Sequence, residues 1–125
     1  MTENELAKFV VDLCLKIHKA LGPGLLESVY EEVLCYELQK ARLNYTRQQK
    51  IKVTYEDVKM NLGFRADIIV DGKLILELKS VETIMPVHPK ILLTYLKLTN
   101  IKLGLLINFN EELIKDGIKR VVNNL

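Results

Sequence analysis

Two carboxylates and a lysine near the middle of the chain have the types and spacing needed for phosphodiester hydrolysis. Asp67 lies in one apolar run, and Glu77-Leu78-Lys79 lies in the next, beyond the turn-forming pair Asp71-Gly72. Carboxylates on neighbouring strands can bind Mg²⁺, which takes oxygen ligands at about 2.0–2.1 Å and keeps several waters. The backbone carbonyl of Leu78 would be a further ligand. A water whose pKa the cation lowers would attack, while Lys79 could orient that water or stabilise charge on the phosphate.

The length of the turn decides whether these side chains meet. A two-residue loop, Asp71-Gly72, would set Asp67 opposite Leu76 and place a carboxylate on the apolar face. A three-residue loop, residues 70–72, would pair Arg65 with Glu77 and gather the odd-numbered residues on one face. The even-numbered residues, all apolar, would share the other face. Because a slip of one residue would bury charges, we predict the three-residue loop, with Asp67, Glu77 and Lys79 on one face.

The same residues also have an ordinary explanation. Antiparallel sheets often have one face in water, and Arg65 and Glu77 could form a simple cross-strand ion pair. Carboxylates with a lysine are common on exposed strands, so spacing alone favours this interpretation over a metal site.

The composition is that of a folded domain. The chain has 125 residues, of which 49% are hydrophobic and 27% charged, with a net charge of +2. These values exclude intrinsic disorder and predict a single domain over residues 1–125. The acidic N-terminus does not resemble a signal peptide, and Cys14 and Cys35 indicate neither a disulfide framework nor a zinc site. We therefore expect a cytoplasmic protein.

Three helices are predicted. Thr2 and Glu5 have capping-box spacing at the start of the first helix, and Gly22-Pro23 ends it with a left-handed glycine cap. Its apolar residues, with a period of 3.6, are Leu6, Phe9, Val10, Leu13, Cys14 and Ile17. The second helix is expected from about Leu25 to Arg42, with a buried stripe of Leu26, Val29, Tyr30, Val33 and Leu38. The third should run from about Val87 to Thr99 and end at Asn100.

Period-two patterns predict the strands. Ile51, Val53 and Tyr55 alternate with polar residues, and Glu56-Asp57 is a plausible turn. An even-numbered apolar series then follows: Val58, Met60, Leu62, Phe64, Ala66, Ile68, Val70, Leu74, Leu76 and Leu78. Gly63 interrupts it and could mark a bulge. Residues 103–109 are typical of a strand covered on both faces, and residues 118–122 could form an edge strand or a short helix, of which we predict the strand.

The segment Asp67…Glu77-Leu78-Lys79 resembles the D…(D/E)xK motif of the PD-(D/E)xK nuclease superfamily. Gly24-Leu-Leu-Glu27-Ser-Val-Tyr30 is similar to the signature of its small GxxExxY branch. Further similar segments extend over nearly the whole chain: residues 18–24, His88, residues 95–99 and residues 103–109. The resemblance implies an α/β fold with an αβββαβ core, a mixed sheet flanked by helices, and an extra N-terminal helix.

The resemblance also assigns site residues. It implies that Glu27 is a third acidic residue, which binds the metal directly or through water beside Asp67 and Glu77. Without the resemblance, Glu27 is explained as an acidic residue in the first turn of a helix, where the helix dipole stabilises its negative charge by about 0.3–1 kcal/mol. Members of this branch usually carry a glutamine four residues before the tyrosine of the third helix, Tyr95. Here that position is Ile91, which cannot supply the amide hydrogen bonds.

A basic stretch points to a polyanionic partner. Residues 38–55 contain no acidic residue and five basic ones: Lys40, Arg42, Arg47, Lys50 and Lys52. Such residues could lie along phosphates, although an ordinary solvated surface explains them equally well.

The resulting hypothesis is a nuclease that hydrolyses DNA with Mg²⁺, for which Mn²⁺ can substitute, using Glu27, Asp67, Glu77 and Lys79. By analogy, it could act as a homodimer. The alternative is a weakened or inactive nuclease fold that binds nucleic acid or a protein partner, which Ile91 and the modest net charge favour.

Overall fold

The computed structural model describes the backbone of residues 1–125 and every side chain except those of residues 61 and 62. The helices are α1 (Glu3–Leu21), α2 (Glu27–Lys40) and α3 (Val87–Thr99). The strands are β1 (Tyr45–Tyr55), β2 (Val58–Val70), β3 (Leu74–Lys79), β4 (Leu103–Asn108) and β5 (Ile118–Val122). They form one mixed sheet in the order β1-β2-β3-β4-β5, in which β3 and β4 are parallel. The predicted α/β architecture is confirmed.

The sheet separates two apolar layers. Helices α1 and α2 cover one face through a core that includes Leu6, Leu34 and Leu76. Helix α3 covers the other face, where Leu92 and Leu96 pack on Ile75 and Leu106. Strand β4 lies between both layers and is buried throughout, as its uninterrupted apolar run predicts. Strand β5 is the edge strand, antiparallel to β4.

Helix α1 begins and ends where its signals predict. Thr2 and Glu5 form the reciprocal capping box, and both bonds are present. At the other end, the Gly22 N–H donates to the His18 carbonyl oxygen at 2.7 Å, with φ 72 and ψ −175 at Gly22 rather than a left-handed helical ψ. The cap of α3 at Asn100 is left-handed, with φ 58 and ψ 28. Of the helices that the structure describes, none is long and apolar enough to cross a membrane.

The buried stripe predicted for α2 is partly wrong. The helix starts at Glu27, and its buried residues are Tyr30, Leu34, Cys35, Glu37 and Leu38. Leu26 precedes the helix and is 74% exposed, and Val29 is also exposed. Gly24, Leu25 and Leu26 form the connection from α1, so the stripe begins one turn later than the sequence predicts.

The register predicted for β2 and β3 is also wrong, by two residues. Val70 pairs with Leu74 and Ile68 with Leu76, so the loop consists of residues 71–73. Asp71 and Gly72 both have positive φ, and the Lys73 N–H donates to the Val70 carbonyl oxygen at 2.9 Å. Lys73 therefore belongs to the turn. The shift sets Asp67 level with Glu77, where the side chain of each residue accepts a hydrogen bond from the backbone of the other strand.

The prediction that the even-numbered residues of β2 share one face is wrong. Ile68 and Val70 pack beneath α1 and α2, whereas Phe64 and Ala66 belong to the core beneath α3. The alternation is interrupted beside Asp67. Opposite this point, Gln48 of β1 has φ 51, between the paired positions Arg47 and Gln49.

The outer part of the β1–β2 hairpin extends beyond β3. Tyr55 pairs with Val58 across Glu56-Asp57, and both turn residues have positive φ, as a type I′ turn requires. The register shifts between Lys52 and Thr54, next to Gly63, where a Cβ would overlap the Ile51 carbonyl oxygen. The irregularity expected near Gly63 is thus present on its own strand, because β2 has three residues, 60–62, where β1 has only Val53. Tyr55, Val58 and Met60 are exposed, and the Leu62 side chain lies outside the described residues.

Candidate active site

Asp67 and Glu77 meet where β2 and β3 separate. The paired ladder ends at Ile68 and Leu76. Beyond it, the backbone N–H groups donate to carboxylates instead of carbonyls. The Leu78 N–H donates to Asp67 Oδ2 at 2.9 Å, and the Asp67 N–H donates to Glu77 Oε1 at 3.2 Å. These crossed bonds hold the two acidic side chains together between the strands.

Both carboxyl groups are in surroundings that oppose their charge. Burial raises the pKa of Asp67, against the hydrogen bonds from Leu78 and Gln48 that lower it. Burial, and next the charge of Asp67, raise the pKa of Glu77 to about 8. Since burial and a like charge both disfavour ionisation, this pair stores unfavourable electrostatic energy that a cation would relieve.

Leu78 and Lys79 are the other two residues of β3 that were predicted to belong to the site. The charge of Lys79 lowers the pKa of both Asp67 and Glu77, although Lys79 forms no ion pair among the described side chains. The N–H and C=O of one residue in an extended strand point to the same side. Because the Leu78 N–H points to Asp67, its carbonyl lies on that side of β3 as well.

Glu27 approaches the same site from α2. Its Oε2 accepts a hydrogen bond from the Ser80 N–H at 3.1 Å, and Ser80 Oγ donates to the Leu25 carbonyl oxygen at 2.6 Å. Glu27 and Asp67 line one pocket of about 270 Å³ with Ser28, Glu31, Gln48 and Leu78. Glu27 therefore lies just beyond the end of β3, in one pocket with Asp67.

Tyr30 positions the segment that carries Glu27. Its ring is fully buried and stacks on Phe109, with ring centroids 4.4 Å apart. Its hydroxyl donates to the Gly22 carbonyl oxygen at 2.6 Å and accepts from the Leu25 N–H at 3.1 Å. The glycine, glutamate and tyrosine of the 24–30 segment therefore form one unit, in which the tyrosine fixes the loop and the glutamate faces the pocket.

Asn108 holds the chain just after Lys79. Its side chain is fully buried. Its amide Nδ2 donates to the Val81 carbonyl oxygen at 2.9 Å, and its Oδ1 accepts from the Val81 N–H at 3.1 Å. This pair extends the parallel β3–β4 pairing beyond the strand, so Ser80 is presented to Glu27. Sequence reasoning did not single out Asn108, although it is polar within an apolar strand.

Glu31 and Gln48 are pocket residues that sequence reasoning missed. Gln48 Nε2 donates to Glu31 Oε1 at 2.7 Å and to Asp67 Oδ1 at 3.2 Å. Arg47 donates to Glu31 at 2.9 Å and to Glu32 at 2.8 Å. Glu31 could have been found from its spacing, because it lies one helical turn after Glu27. The local sequence has no signal for the contact with Gln48.

The predicted basic residues do not form one surface. Arg47 pairs with Glu31 and Glu32, and Lys40 lies 3.7 Å from a Glu37 oxygen. Arg42 is exposed beyond the end of α2, with φ 61. Lys50 and Lys52 are exposed on β1, in the outer part of the hairpin.

On helix α3, Ile91 is 40% exposed. Tyr95, one turn later, stacks on Phe64 with ring centroids 3.8 Å apart. Burial, and next the charges of Glu77 and Asp67, raise the pKa of Tyr95, so its hydroxyl lies near the acidic pair. His88 Nδ1 accepts the Met85 N–H at 3.0 Å and thereby fixes the start of the helix.

The sequence and this geometry agree with a comparison to known families. The family model for the PD-(D/E)XK nuclease superfamily matches residues 4–121, nearly the entire chain. The chain belongs to this superfamily. No curated protein and no solved structure matches it. Membership of the nuclease superfamily indicates nuclease-type activity and nucleic acid as partner, and such nucleases generally use divalent metals.

The acidic pair of this nuclease-superfamily chain fits a hard divalent cation. Among the side chains that the structure describes, no three His, Cys, Asp or Glu residues are grouped closely enough to hold a metal ion. Mg²⁺, however, is commonly bound through one or two carboxylates with waters in its remaining positions. Asp67 and Glu77 supply only oxygen donors, and burial, followed by the charge of a neighbouring carboxylate, raises the pKa of each. These two residues could hold Mg²⁺, and Glu27 lines one pocket with Asp67.

Proposed function

We propose that this protein is a metal-dependent nuclease of the GxxExxY branch that hydrolyses DNA phosphodiester bonds. One observation carries the proposal: Asp67 and Glu77 lie together where β2 and β3 separate, joined by crossed hydrogen bonds to each other's strand. A cross-strand ion pair of Arg65 with Glu77 does not explain this arrangement, since the register sets Asp67 level with Glu77.

Each residue of the site has a distinct role in the proposed reaction. Asp67, Glu77 and the Leu78 carbonyl would hold Mg²⁺ or Mn²⁺, and Glu27 would bind it directly or through water. Such a cation lowers the pKa of a water to give a nucleophile and polarises the phosphoryl oxygen. Lys79, whose charge lowers the pKa of both carboxyl groups, would orient the water or stabilise the negative charge that develops on the phosphate. Gln48 keeps Asp67 in place through its amide.

The test is cleavage of labelled linear, single-stranded and branched DNA with Mg²⁺ or Mn²⁺. Wild type, Glu77→Ala and Asp67→Asn are purified in parallel, with Glu112→Gln as a control at an exposed acid beside the end of α1, outside the pocket of Asp67. We expect wild type and Glu112→Gln to cleave DNA. The cleavage rate of Glu77→Ala should be at least about a hundredfold lower, because without this ligand the cation that activates the attacking water is not held. Equal cleavage by all four proteins would indicate a contaminating nuclease or a different site.

The second candidate function is a binding module that retains the fold with weakened catalysis. The observation that favours it is Ile91, an apolar and partly exposed residue one turn before Tyr95. If it is correct, Glu77→Ala leaves nucleic-acid or protein binding intact. Introducing the amide in Ile91→Gln would then raise cleavage above the wild-type rate, whereas an unchanged rate in an active wild type would speak against it.

Four further predictions belong to this proposal. Residues 1–125 would act as one domain in the cytoplasm, where the buried thiols of Cys14 and Cys35 stay free. Two copies could act together on both strands of a duplex. Of the predicted phosphate-binding cations, Arg42, Lys50 and Lys52 would contact the nucleic acid, whereas Lys40 and Arg47 pair with acidic residues of α2.

A further inference from the structure

The outer half of the β1–β2 hairpin is a two-stranded ribbon outside the main sheet. Strand β2 pairs with β3 only over residues 68–70, but it pairs with β1 as far as Tyr55 and Val58. Residues 49–66 therefore have no third strand, and we call them the arm. At about 3.4 Å per residue, its seven residues from Gln49 to Tyr55 span roughly 20 Å.

One face of the arm is covered by α3. Ile51 and Phe64 are paired across the two strands and belong to the core beneath α3. Phe64 stacks on Tyr95 with an interplanar angle of 9°. Because side chains alternate along a strand, the neighbours of Ile51 and Phe64 point to the opposite face, on the side of α2.

That opposite face is basic. Lys50 and Arg65 are directly opposed across the strands, and Lys52 lies two residues beyond Lys50. Like charges opposite each other destabilise a sheet, and among the described side chains none of these three forms an ion pair. The strands of the arm contain no acidic residue; Glu56 and Asp57 lie at its tip, and Asp67 follows its last residue. The arm thus maintains a repulsion that a bound anion would relieve.

The basic face leads into the candidate site. Asp67 follows Arg65 by two residues, and Gln48 precedes Lys50 by two, and both Asp67 and Gln48 line the pocket with Glu27. The pocket lies on the α2 side of the hairpin, which is also the side of the basic face.

We infer that the arm, through Lys50, Lys52 and Arg65, binds the phosphodiester backbone of the nucleic acid and directs it to the pocket of Glu27 and Asp67. This inference rests on the proposed function for its choice of DNA. A ribbon of roughly 20 Å would run beside about six base pairs of duplex. Arg47 and Lys40, whose charges are already paired with Glu31, Glu32 and Glu37, are not part of this surface.

The test is DNA binding without cleavage. Fluorescence anisotropy of a labelled duplex longer than the arm is measured with Ca²⁺ in place of Mg²⁺, over a range of salt concentrations. The triple variant Lys50→Ala, Lys52→Ala, Arg65→Ala is compared with Lys102→Ala, Lys115→Ala, Lys119→Ala. The control removes three exposed cations from the β4–β5 side of the sheet, so the net charge change is the same. A charge-preserving variant, Lys50→Arg, Lys52→Arg, Arg65→Lys, checks that folding and charge are maintained.

We expect the arm triple variant to bind DNA at least about tenfold more weakly than wild type. The slope of log K against log salt concentration should become smaller in magnitude by about two to three, because each lost phosphate contact reduces it by about 0.9. The control and the charge-preserving variant should bind like wild type. Equal affinity and slope in the two alanine triples would overturn the inference, even if wild type cleaves DNA. Loss of binding confined to the arm variant would support it, even if wild type proves inactive and the proposed function fails.

Discussion

The carboxyl group of Glu77 lies where the folded chain disfavours its charge, which links stability to the proposed catalytic role. Burial and the neighbouring Asp67 raise its pKa from 4.5 to about 8. A raised carboxyl pKa means that the folded state binds the proton more tightly than the unfolded state. Its favourable contribution is therefore complete below about pH 4.5 and is lost as the pH rises to about 8. A residue selected for stability alone would be neutral here.

We predict that Glu77→Gln is more stable than wild type at about pH 8, measured by thermal unfolding in EDTA. The gain should be at least about 1 kcal/mol, which corresponds to roughly 4 °C in a domain of this size. It should shrink towards zero as the pH approaches 4.5, where both proteins carry a neutral side chain. Glu82→Gln, at an exposed acid, should show neither effect. A gain that does not depend on pH would contradict the assigned cause.

The hydroxyl of Tyr30 holds the segment that leads to Glu27. It satisfies both the Gly22 carbonyl and the Leu25 N–H in the connection to α2. Tyr30→Phe keeps the stacking on Phe109 and removes only these two bonds. We expect a loss of about 1–3 kcal/mol in the free energy of unfolding, together with a cleavage rate lowered through displacement of Glu27.

The conservative change Tyr36→Phe, at an exposed position of the same helix, is the matched control and should alter neither quantity. If Tyr30→Phe lowers stability but not the rate of cleavage, Tyr30 stabilises the fold without positioning Glu27.

At the scale of elements, the separation of β2 from β3 and the continued pairing of β3 with β4 create the site. The β3–β4 pairing runs from Leu74–Leu103 to Lys79–Asn108, and the Phe109 N–H donates to the Lys79 carbonyl oxygen at 2.9 Å. Asn108 then binds the backbone of Val81 with its side chain. Strand β3 is thus supported on the β4 side up to its last residue, while its other side is free for the carboxylates.

We predict that Asn108→Ala lowers stability by about 1–3 kcal/mol, because the backbone N–H and C=O of Val81 lose their partner. The amide of Val81, and that of Ser80 beside it, should also exchange with solvent faster than in wild type. Hydrogen exchange resolved by residue measures this directly. Asn4→Ala, at an exposed position on α1, should leave both amides protected. Unchanged protection in Asn108→Ala would mean that the segment is held by other contacts.

At the scale of the whole molecule, two helical layers hold the sheet from both sides, and α3 approaches the sheet closely. Leu92 is fully buried above Gly104, where a Cβ would lie 2.9 Å from Leu92 Cδ1. Glycine at this position allows the helix to come near the strand.

A double-mutant cycle tests this packing. Leu92→Ala alone should cost about 2–5 kcal/mol through the cavity it leaves, and Gly104→Ala alone about 1–3 kcal/mol through overpacking. In the double variant, the new methyl group enters the space left by Leu92, so the combined cost should be smaller than the sum of the two. Additive costs, measured by denaturant unfolding, would show that the two residues do not share this space.

Much of this architecture follows from local patterns. The capping box at Thr2, the period of α1 and the Asn100 cap are local features, and the structure contains all three. The hydrophobic alternation also predicts that β2 and β3 are neighbouring antiparallel strands, and the structure contains this pairing. The motif residues and the αβββαβ order were sufficient to identify the superfamily that residues 4–121 match.

What the tertiary structure decided are the contacts between elements. The register depends on the positive φ of Asp71 and Gly72, which brought Lys73 into the turn and set Asp67 level with Glu77 rather than with Ile75. The change of side within β2 depends on which helix covers each part of the strand. Glu31, Gln48 and Asn108 joined the site through partners that are at least 17 residues away. Local propensity carries no information about such distant partners, since their free energy is gained only when the packed layers bring them together.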